Sequence, residues 1–444
     1  MARVEAPPVS RLDQPRARGQ TTELPLHHTD AFTLGRAMLA VFLVSGADVT
    51  NFLDRGNWLR YVILLFLPLV AIIAIRAGHP STVIRRPNLS DRLLLVLFLV
   101  GMVGGTYGKL FNGVKSDLYP IFVPMIIALF YLGTRSDLTD EESYRLLKGL
   151  ALVMFVYIIL SAFVNSGIIP RLQAYRQYKN AQVMYLAMGV SAVLVLRRWI
   201  LTIVAVLLWL YIFKQYPSGT AFLVGVTTVV TLFLTRPRRA NNWRLILVGS
   251  AVALVAVLGV LNFTGARNVA DAYFSLVNKK NNDNARVALW EGGIQNFQKS
   301  PIWGQAFTGE ATIFVIRRGG LGQPFKAPFH SDYVLFLSLG GLIGLGLLLG
   351  WAVSTELAVY RRYRGFVISG ESDKAKLLRV LLVGFNAFFC AAAFNPELTG
   401  ASRTATIAAI YGLMMLVGRS SQVRPAFPSE PETRRLTRFT PVRP

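Results

Sequence analysis

Long apolar segments separated by short polar connections recur along most of the 444-residue chain. About 20 apolar residues give an α-helix the length that it needs to cross a bilayer. The pattern predicts an all-α integral membrane protein with about 12 transmembrane helices. The predicted spans are 31–47, 58–75, 91–107, 119–132, 146–164, 181–196, 199–213, 219–234, 244–261, 331–353, 377–394 and 405–417.

Basic residues set the predicted orientation, because cytoplasmic connections of membrane proteins carry an excess of Lys and Arg. With the N-terminus inside, every inner connection is basic and the alternation closes with both termini in the cytoplasm. The cations of these connections are Arg76, Arg85, Arg86, Arg92, Arg135, Arg145, Lys148, Arg197, Arg198, Arg236, Arg238, Arg239, Arg244, Arg361, Arg362, Arg364, Lys374, Lys376 and Arg379.

The segments outside the spans predict three regions. Residues 1–29 and 419–444 are rich in Pro, Arg, Ser and Thr without hydrophobic periodicity, so we predict two disordered basic cytoplasmic tails. A polytopic membrane domain fills residues 30–418 between them. Its outward loop at about 262–330, between spans 9 and 10, is far longer than a normal connection, and such loops tend to be functional.

Local signals within and after this loop predict short helices and a turn. Trp290, Ile294 and Phe297 have the spacing of one helix face, and Pro301 and Gly304 then favour a helix end and a turn. The following span has a row of small residues, which favours close helix packing. These residues are Gly340, Gly341, Gly344 and Gly346.

Composition agrees with a membrane protein and excludes some other classes. Hydrophobic residues make up 53% of the chain and charged residues 16%, and a soluble protein of this size cannot bury so much apolar surface. The net charge is +24, and most of the basic residues lie in the inner connections and the tails. This distribution indicates contact with membrane lipids and no nucleic acid. A single cysteine, Cys390, excludes an intramolecular disulfide and a cysteine metal site. The first thirty residues have no signal-peptide pattern, so we expect no cleavable signal.

One histidine is placed differently from the others. His27 and His28 fall in the N-terminal tail and His79 in an inner connection, whereas His330 lies on the outward face before a span. A histidine can give or take a proton near neutral pH, so His330 is a candidate catalytic group. The alternative is an interfacial residue with its polar tip in water. Asp332 is better explained as an acid at a helix N-terminus than as a partner of His330, since residues i and i+2 do not share a helix face.

Several cations lie on the outward side, where Lys and Arg are normally avoided. Guanidinium groups suit a diphosphate, because their planar fork binds two oxygens at once. The alternative is that a long loop is translocated regardless of its charge, which applies best to Lys279, Lys280 and Lys299. The remaining candidates are Arg171, Arg176, Lys179, Lys214, Arg286, Arg317, Arg318 and Arg403, with Tyr175 and Tyr178 as aromatic neighbours that suit a sugar.

Two quoted stretches carry a family resemblance. "RVALWEGGIQNFQKSPIWGQAF" and "FHSDYVLFLSLGGLIGLGLLL" resemble the signature region of the bacterial O-antigen ligase and polymerase superfamily. The matching positions are Arg286, Trp290, Pro301 to Gly304, His330, and Gly341 to Gly344. "RLQAYRQYKNAQVMYLAMG" is similar to the family's earlier Arg-then-Asn loop, with Arg171 or Arg176 as the arginine and Asn180 as the asparagine.

The resemblance covers roughly residues 165–350 and has two departures. The family's Ser-Arg pair before the eighth span is replaced by "YPSGTAFLVG", where Lys214 is the nearest cation. The family's Asn-Pro-Asn is reduced to Asn180, Ala181 and Gln182. Both departures concern the contacts to phosphate or sugar.

The resemblance implies a metal-independent, inverting glycosyltransferase of the bacterial inner membrane without a cofactor. Its donor would be a glycan on undecaprenyl diphosphate. Its acceptor on the periplasmic face would be lipid A–core for a ligase, or another lipid-linked glycan for an O-antigen or exopolysaccharide polymerase. In this scheme His330 acts as general base or positions the acceptor, and Arg286 with Arg171 or Arg176 neutralises the leaving diphosphate. Further possible substrate contacts are Lys214, Arg317, Arg318, Arg403 and Tyr175.

Two other classes of function stay open at this point. A flippase or transporter for a lipid-linked oligosaccharide would also have many spans, although transporters commonly show internal repeats and we find none. The absence of a P-loop motif argues against ATP-driven export by this chain alone. A non-catalytic scaffold of an envelope polysaccharide complex is the third possibility.

Overall fold

The computed structural model describes residues 29–49, 85–113, 125–126, 128–134, 136–166, 179–215, 219–236, 280–309, 312–315, 325–394, 398 and 401–418. The predicted spans 58–75 and 244–261, both predicted tails and much of span 119–132 lie outside these residues.

The described part of the chain is helical apart from one short ribbon, which confirms the predicted class. The ribbon pairs two antiparallel strands, with Thr312 opposite Pro328 and Val315 opposite Phe325, and the sequence pattern did not predict it. The elements are α1 (Asp30–Val49), α2 (Leu89–Phe111), a 3-10 helix (Phe130–Gly133), α3 (Asp140–Ser166), α4 (Lys179–Val195), α5 (Trp199–Gln215), α6 (Gly219–Leu234), α7 (Lys280–Lys299), β1 (Thr312–Val315), β2 (Phe325–Pro328), α8 (Asp332–Ser369), α9 (Ser372–Ala392) and α10 (Ala401–Leu416).

Among the described helices, four are long and apolar enough to cross a membrane by length and composition. They are α2, α8, α9 and the Asp140–Phe163 part of α3. Shorter apolar helices occur within α4, α5, α6 and α10. The count of twelve spans and the side of the membrane that each end faces stay predictions.

Helix α9 lies at the centre of the described bundle, and α2 lies at its edge. Helix α9 packs against α3, α4, α6, α8 and α10, and its apolar window is 78% buried, against 33% for α2. The exposed side of α2 is apolar: Val103 and Leu110 are each 70% exposed and Phe111 is 72% exposed. Apolar side chains that face outward along a long helix are typical of a lipid-facing surface.

Hydrogen bonds fix one end of the bundle, where the charge pattern places the inner connections. Asp140 Oδ1 accepts hydrogen bonds from the backbone N–H groups of Asp373 and Lys374, both at 2.9 Å, and so caps α9. The Arg85 guanidinium pairs with Asp137 and donates to the Thr134 carbonyl at 2.8 Å. These contacts join the starts of α2, α3 and α9 at this end of the bundle.

Candidate active site

A turn that follows α7 is inserted into a break in α8. Helix α7 ends at Lys299, and Gly304 has a φ of 57°, as the sequence signals of Pro301 and Gly304 predicted. Helix α8 loses its helical geometry at Gly341, where φ is 60° and ψ is −155°. Essentially only glycine adopts this backbone region. The turn, residues 300–308, will be called the docked turn.

The docked turn satisfies the backbone groups that the break releases. In an unbroken helix each N–H donates to the carbonyl four residues earlier. The break instead exchanges two amide donors and two carbonyl acceptors of α8 with the docked turn. The exchanged bonds are Gln305 N–H to Ser338 O (3.2 Å), Phe307 N–H to Leu339 O (2.8 Å), Leu342 N–H to Pro301 O (2.9 Å) and Ile343 N–H to Ile302 O (3.2 Å). A break at membrane depth is stable only when such groups find partners within the protein.

Glycines on two helices make room for the docked turn. A Cβ on Gly340 would lie 2.5 Å from the ring of Phe307, and one on Gly344 would lie 2.9 Å from it. A Cβ on Gly104 or Gly108 of α2 would lie 2.1 or 2.3 Å from a carbonyl oxygen of the docked turn. The docked turn therefore fits between α2 and α8 only because these positions lack side chains.

The predicted role of the glycine row in close helix packing is wrong in two respects. The partner of Gly340 and Gly344 is the docked turn, not a neighbouring helix. Gly341 breaks α8, and a Cβ on Gly346 would meet no atom of the described residues within 4 Å. Sequence spacing assumed a continuous helix, in which all four glycines would share one packing surface.

His330 lies between the ribbon and the first turn of α8. Its ring is half-buried, and the preceding Phe329 is completely buried. Ser331 caps α8 by accepting a hydrogen bond from the Val334 N–H at 3.4 Å. On the other side, a Cβ on Gly293 of α7 would lie 2.4 Å from Val334 and 3.0 Å from Phe329. Helix α7 therefore packs directly against the segment that holds His330.

Asp332 connects this segment to the beginning of α10. It lies in the first turn of α8, where the sequence predicted a helix N-terminal acid, and its side chain is completely buried. Its Oδ2 accepts a hydrogen bond from the backbone N–H of Leu398 at 2.8 Å. The Leu398 carbonyl in turn accepts a hydrogen bond from the Thr404 hydroxyl at 2.9 Å. Arg403, which is half-buried, is thereby held at the same end of the bundle as His330.

Helix α4 joins the same end through a pair of hydroxyl groups. The Tyr185 hydroxyl and Thr406 Oγ1 are hydrogen bonded at 2.5 Å, and the Tyr157 ring lies 4.8 Å from that of Tyr185 between centroids. Lys179, where α4 begins, precedes Tyr185 by about 9 Å of helix. The segment before α4 contains Arg171, Tyr175 and Arg176, which lie outside the described residues.

Two of the predicted site residues, His330 and Arg403, have described side chains, and both lie at the same end of the bundle. Arg286 lies on α7, about 10 Å of helix before Gly293, and Lys214 lies in the last turn of α5. The side chains of these two residues lie outside the described part. Arg317 and Arg318 fall between the two strands and are also outside it.

Trp290 and Asp332 are polar groups of this site that were not predicted as site residues. Trp290 lies one turn before Gly293, and its buried indole Nε1 has no hydrogen bond acceptor among the described residues. Its position in the family pattern was the available signal. Asp332 was assigned only to the helix terminus, because its partner Leu398 is far away in the sequence. Within the described residues, no group of three His, Cys, Asp or Glu side chains is arranged to hold a metal ion.

These features define a helical membrane protein with a polar site where several helix ends meet. Comparison with known families adds a more specific finding, because residues 203–349 match the family model described as O-antigen ligase. The match includes α7, the docked turn, His330 and the break in α8. The match confirms the resemblance recognised from the sequence for this part of the chain. It supports membership in the O-antigen ligase and polymerase superfamily. No curated protein matches the chain.

Proposed function

We propose that the protein is an inverting membrane glycosyltransferase of the bacterial inner membrane, with its active site on the periplasmic face. It transfers a glycan from undecaprenyl diphosphate to lipid A–core, as an O-antigen ligase does. The observation that carries this proposal is the placement of His330. This residue is half-buried at the start of α8 and lies within the segment that matches the ligase family. Helix α7, which packs against α8, and the start of α10 lie at the same end of the bundle as His330.

The proposed reaction is a single displacement. An acceptor hydroxyl attacks the anomeric carbon of the donor sugar, and His330 takes the hydroxyl proton. A new carbon–oxygen bond forms as the bond between the anomeric carbon and the diphosphate oxygen breaks. Undecaprenyl diphosphate leaves with the bonding electrons, and the anomeric configuration inverts. A general base in this position typically contributes a factor of about 100 to 10,000 in rate.

Arginines are proposed to stabilise the leaving diphosphate. Negative charge grows on this group in the transition state, so fixed cations beside it lower the barrier selectively. Arg286 and either Arg171 or Arg176 take this role, and Arg403 is a further candidate, since it is held near His330 through Leu398 and Thr404. With enough arginines the chemistry requires no metal ion, and metal independence is part of the proposal.

The test is consumption of a purified lipid-linked donor by the purified full-length chain in detergent. A glycosyltransferase consumes the donor when an acceptor is present, whereas a flippase leaves it intact because detergent has no second compartment. Supplying lipid A–core or a second lipid-linked glycan in separate reactions distinguishes ligase from polymerase by the mass of the product. An intact donor with both acceptors, in protein that is folded by its thermal transition, would overturn the proposal.

The arginine roles have their own test. Arg403→Gln is expected to lower kcat/KM for the donor by about tenfold or more, because one charge-assisted contact to the leaving group is lost. Arg145→Gln is the matched control: Arg145 lies at the opposite end of the bundle, pairs with Glu141 at 2.5 Å, and is expected to leave kcat/KM unchanged. Equal rates for both variants would remove Arg403 from the site.

A further inference from the structure

A basic cavity lies at the end of the bundle opposite to His330. Its volume is about 640 Å³, and it is an open cavity lined by residues of α3, of the connection between α4 and α5, and of the start of α9. His330 belongs to the other end, because Tyr333 beside it donates a hydrogen bond to Phe389 near the end of α9 at 2.9 Å. The cavity is therefore separate from the candidate active site.

Four cations line this cavity, and none of the described lining residues is acidic. They are Lys148, Arg197, Arg198 and Lys376. Lys148 Nζ lies 4.2 Å from the ring centroid of Tyr144, which also lines the cavity. Among the described residues, Lys376 is the one cavity cation that forms an ion pair, since its Nζ lies 2.7 Å from Asp373. The cavity thus carries excess positive charge suited to an anion.

Arg197 occupies a backbone position that favours glycine. Its φ is 58°, and it follows α4 in the hydrogen-bond pattern of a Schellman cap. The Arg197 N–H donates to the Leu194 carbonyl and the Arg198 N–H to the Val193 carbonyl, both at 3.0 Å. Glycine is the usual residue there because an L side chain in this region is strained. An arginine in its place brings a guanidinium to the cavity at the expense of local backbone strain.

The remaining lining of the cavity is apolar and continues onto the outer surface of the helices. Leu152 lines the cavity and is 65% exposed, and Leu201 lines it and is 39% exposed. Next to the cavity, Ile200 is 78% exposed on α5. A molecule that fills this site therefore meets cations at one side and a lipid-facing apolar surface at the other.

We propose that this cavity binds an anionic phospholipid. The lipid phosphate contacts Arg197, Arg198 and Lys148, and an acyl chain lies along Leu152 and Leu201. Basic sites between membrane helices on the cytoplasmic side are suited to anionic headgroups, and all four cavity cations belong to the connections that the charge pattern assigns to that side. A free phosphate or a soluble phosphate ester shares the headgroup chemistry but leaves the apolar surface uncovered.

Native mass spectrometry of the purified full-length chain tests this proposal. The chain is titrated in detergent with tetraoleoyl cardiolipin, dioleoyl phosphatidylglycerol or dioleoyl phosphatidylcholine, and separately with glycerol 3-phosphate. We expect one tightly bound anionic lipid, about tenfold or more stronger than phosphatidylcholine, and no competition from glycerol 3-phosphate at concentrations that match the lipid. Equal binding of phosphatidylcholine, or full competition by glycerol 3-phosphate, would overturn the lipid assignment.

Arg197→Gly gives the sharpest variant, because glycine suits the backbone that arginine strains. We expect its affinity for cardiolipin to fall about fivefold, as for the loss of one cation near a headgroup, while the thermal midpoint stays equal or rises. Arg198→Gln should weaken binding similarly. Arg145→Gln is the control for net charge, since Arg145 lies on α3 outside the cavity lining, and it should stay within about twofold of wild type. Wild-type affinity in Arg197→Gly and Arg198→Gln, or equal weakening in Arg145→Gln, would refute the site. None of these outcomes depends on the transfer reaction.

Discussion

Replacing Gly341 by alanine tests whether the break in α8 and the docked turn form one unit. Gly341 has a φ of 60° and a ψ of −155°. The backbone of the docked turn lies close to the position that a Cβ would occupy. A Cβ there would lie 2.4 Å from the Ile302 carbonyl oxygen and 2.5 Å from the Gly304 nitrogen. These are backbone atoms, so the contact cannot be relieved by rotation of a flexible side chain. Either α8 straightens or the docked turn moves away.

The expected size of the effect follows from this geometry. A non-glycine residue in such a backbone region costs about 1–3 kcal/mol, and the steric contact with the docked turn adds to that value. Opening the docked turn then becomes about thirtyfold more frequent for a change of about 2 kcal/mol. Gly346→Ala is the matched control on the same helix, since a Cβ there meets no atom within 4 Å in the part of the chain that the structure describes. Alanine in a helix interior is favoured over glycine by about 1 kcal/mol, so the control should be neutral or stabilising.

Amide hydrogen exchange followed by mass spectrometry reads this effect directly. The amides of Gln305, Phe307, Leu342 and Ile343 carry the exchanged hydrogen bonds and should lose protection in Gly341→Ala. Their protection should be retained in Gly346→Ala. Transfer activity should fall together with protection, because the docked turn follows α7, which packs against the segment that holds His330. Unchanged protection of these four amides in Gly341→Ala would refute the docking of the turn into the break.

Two further predictions concern the bonds that join the helix ends at the candidate site. Asp332→Ala leaves the N–H of the buried Leu398 without this acceptor and should lower stability by about 1–3 kcal/mol. Asp332→Asn keeps an oxygen and should lose less; equal thermal midpoints for the two variants would contradict this role. Tyr185→Phe removes the hydrogen bond to Thr406 and should cost about 1 kcal/mol, seen as a lower thermal midpoint. An unchanged midpoint would show that this bond adds nothing to the stability of the link between α4 and α10.

Local features of the site were predictable because their signals are contained in short stretches. The spacing of Trp290, Ile294 and Phe297 predicted a helix, and α7 spans them. Pro301 and Gly304 predicted the turn that follows α7. His330 was expected just before a span, and α8 begins two residues later. In each case the backbone preference of a few neighbouring residues determines the local structure, so no distant contact had to be known.

The break in α8 and the links between helix ends were not predictable in the same way. The stretch "LSLGGLIG" has the composition of a continuous apolar helix, and only the docked turn supplies the partners that make a break stable. The hydrogen bonds between the docked turn and the break join residues that are 32 to 41 positions apart, and no local pattern pairs them. Likewise, nothing near Tyr185 indicates that its hydroxyl bonds to Thr406. Such pairs are set by tertiary packing, which single-sequence periodicity does not report.

The central claim, that His330 accepts the proton of the acceptor hydroxyl, is tested most directly by the turnover of His330→Ala. Purified wild-type and variant proteins with matched thermal midpoints are compared for transfer from a lipid-linked donor. If His330 is the base, kcat falls by a factor of about 100 to 10,000, while donor affinity changes little. A variant that folds normally and turns over at close to the wild-type rate would contradict the account.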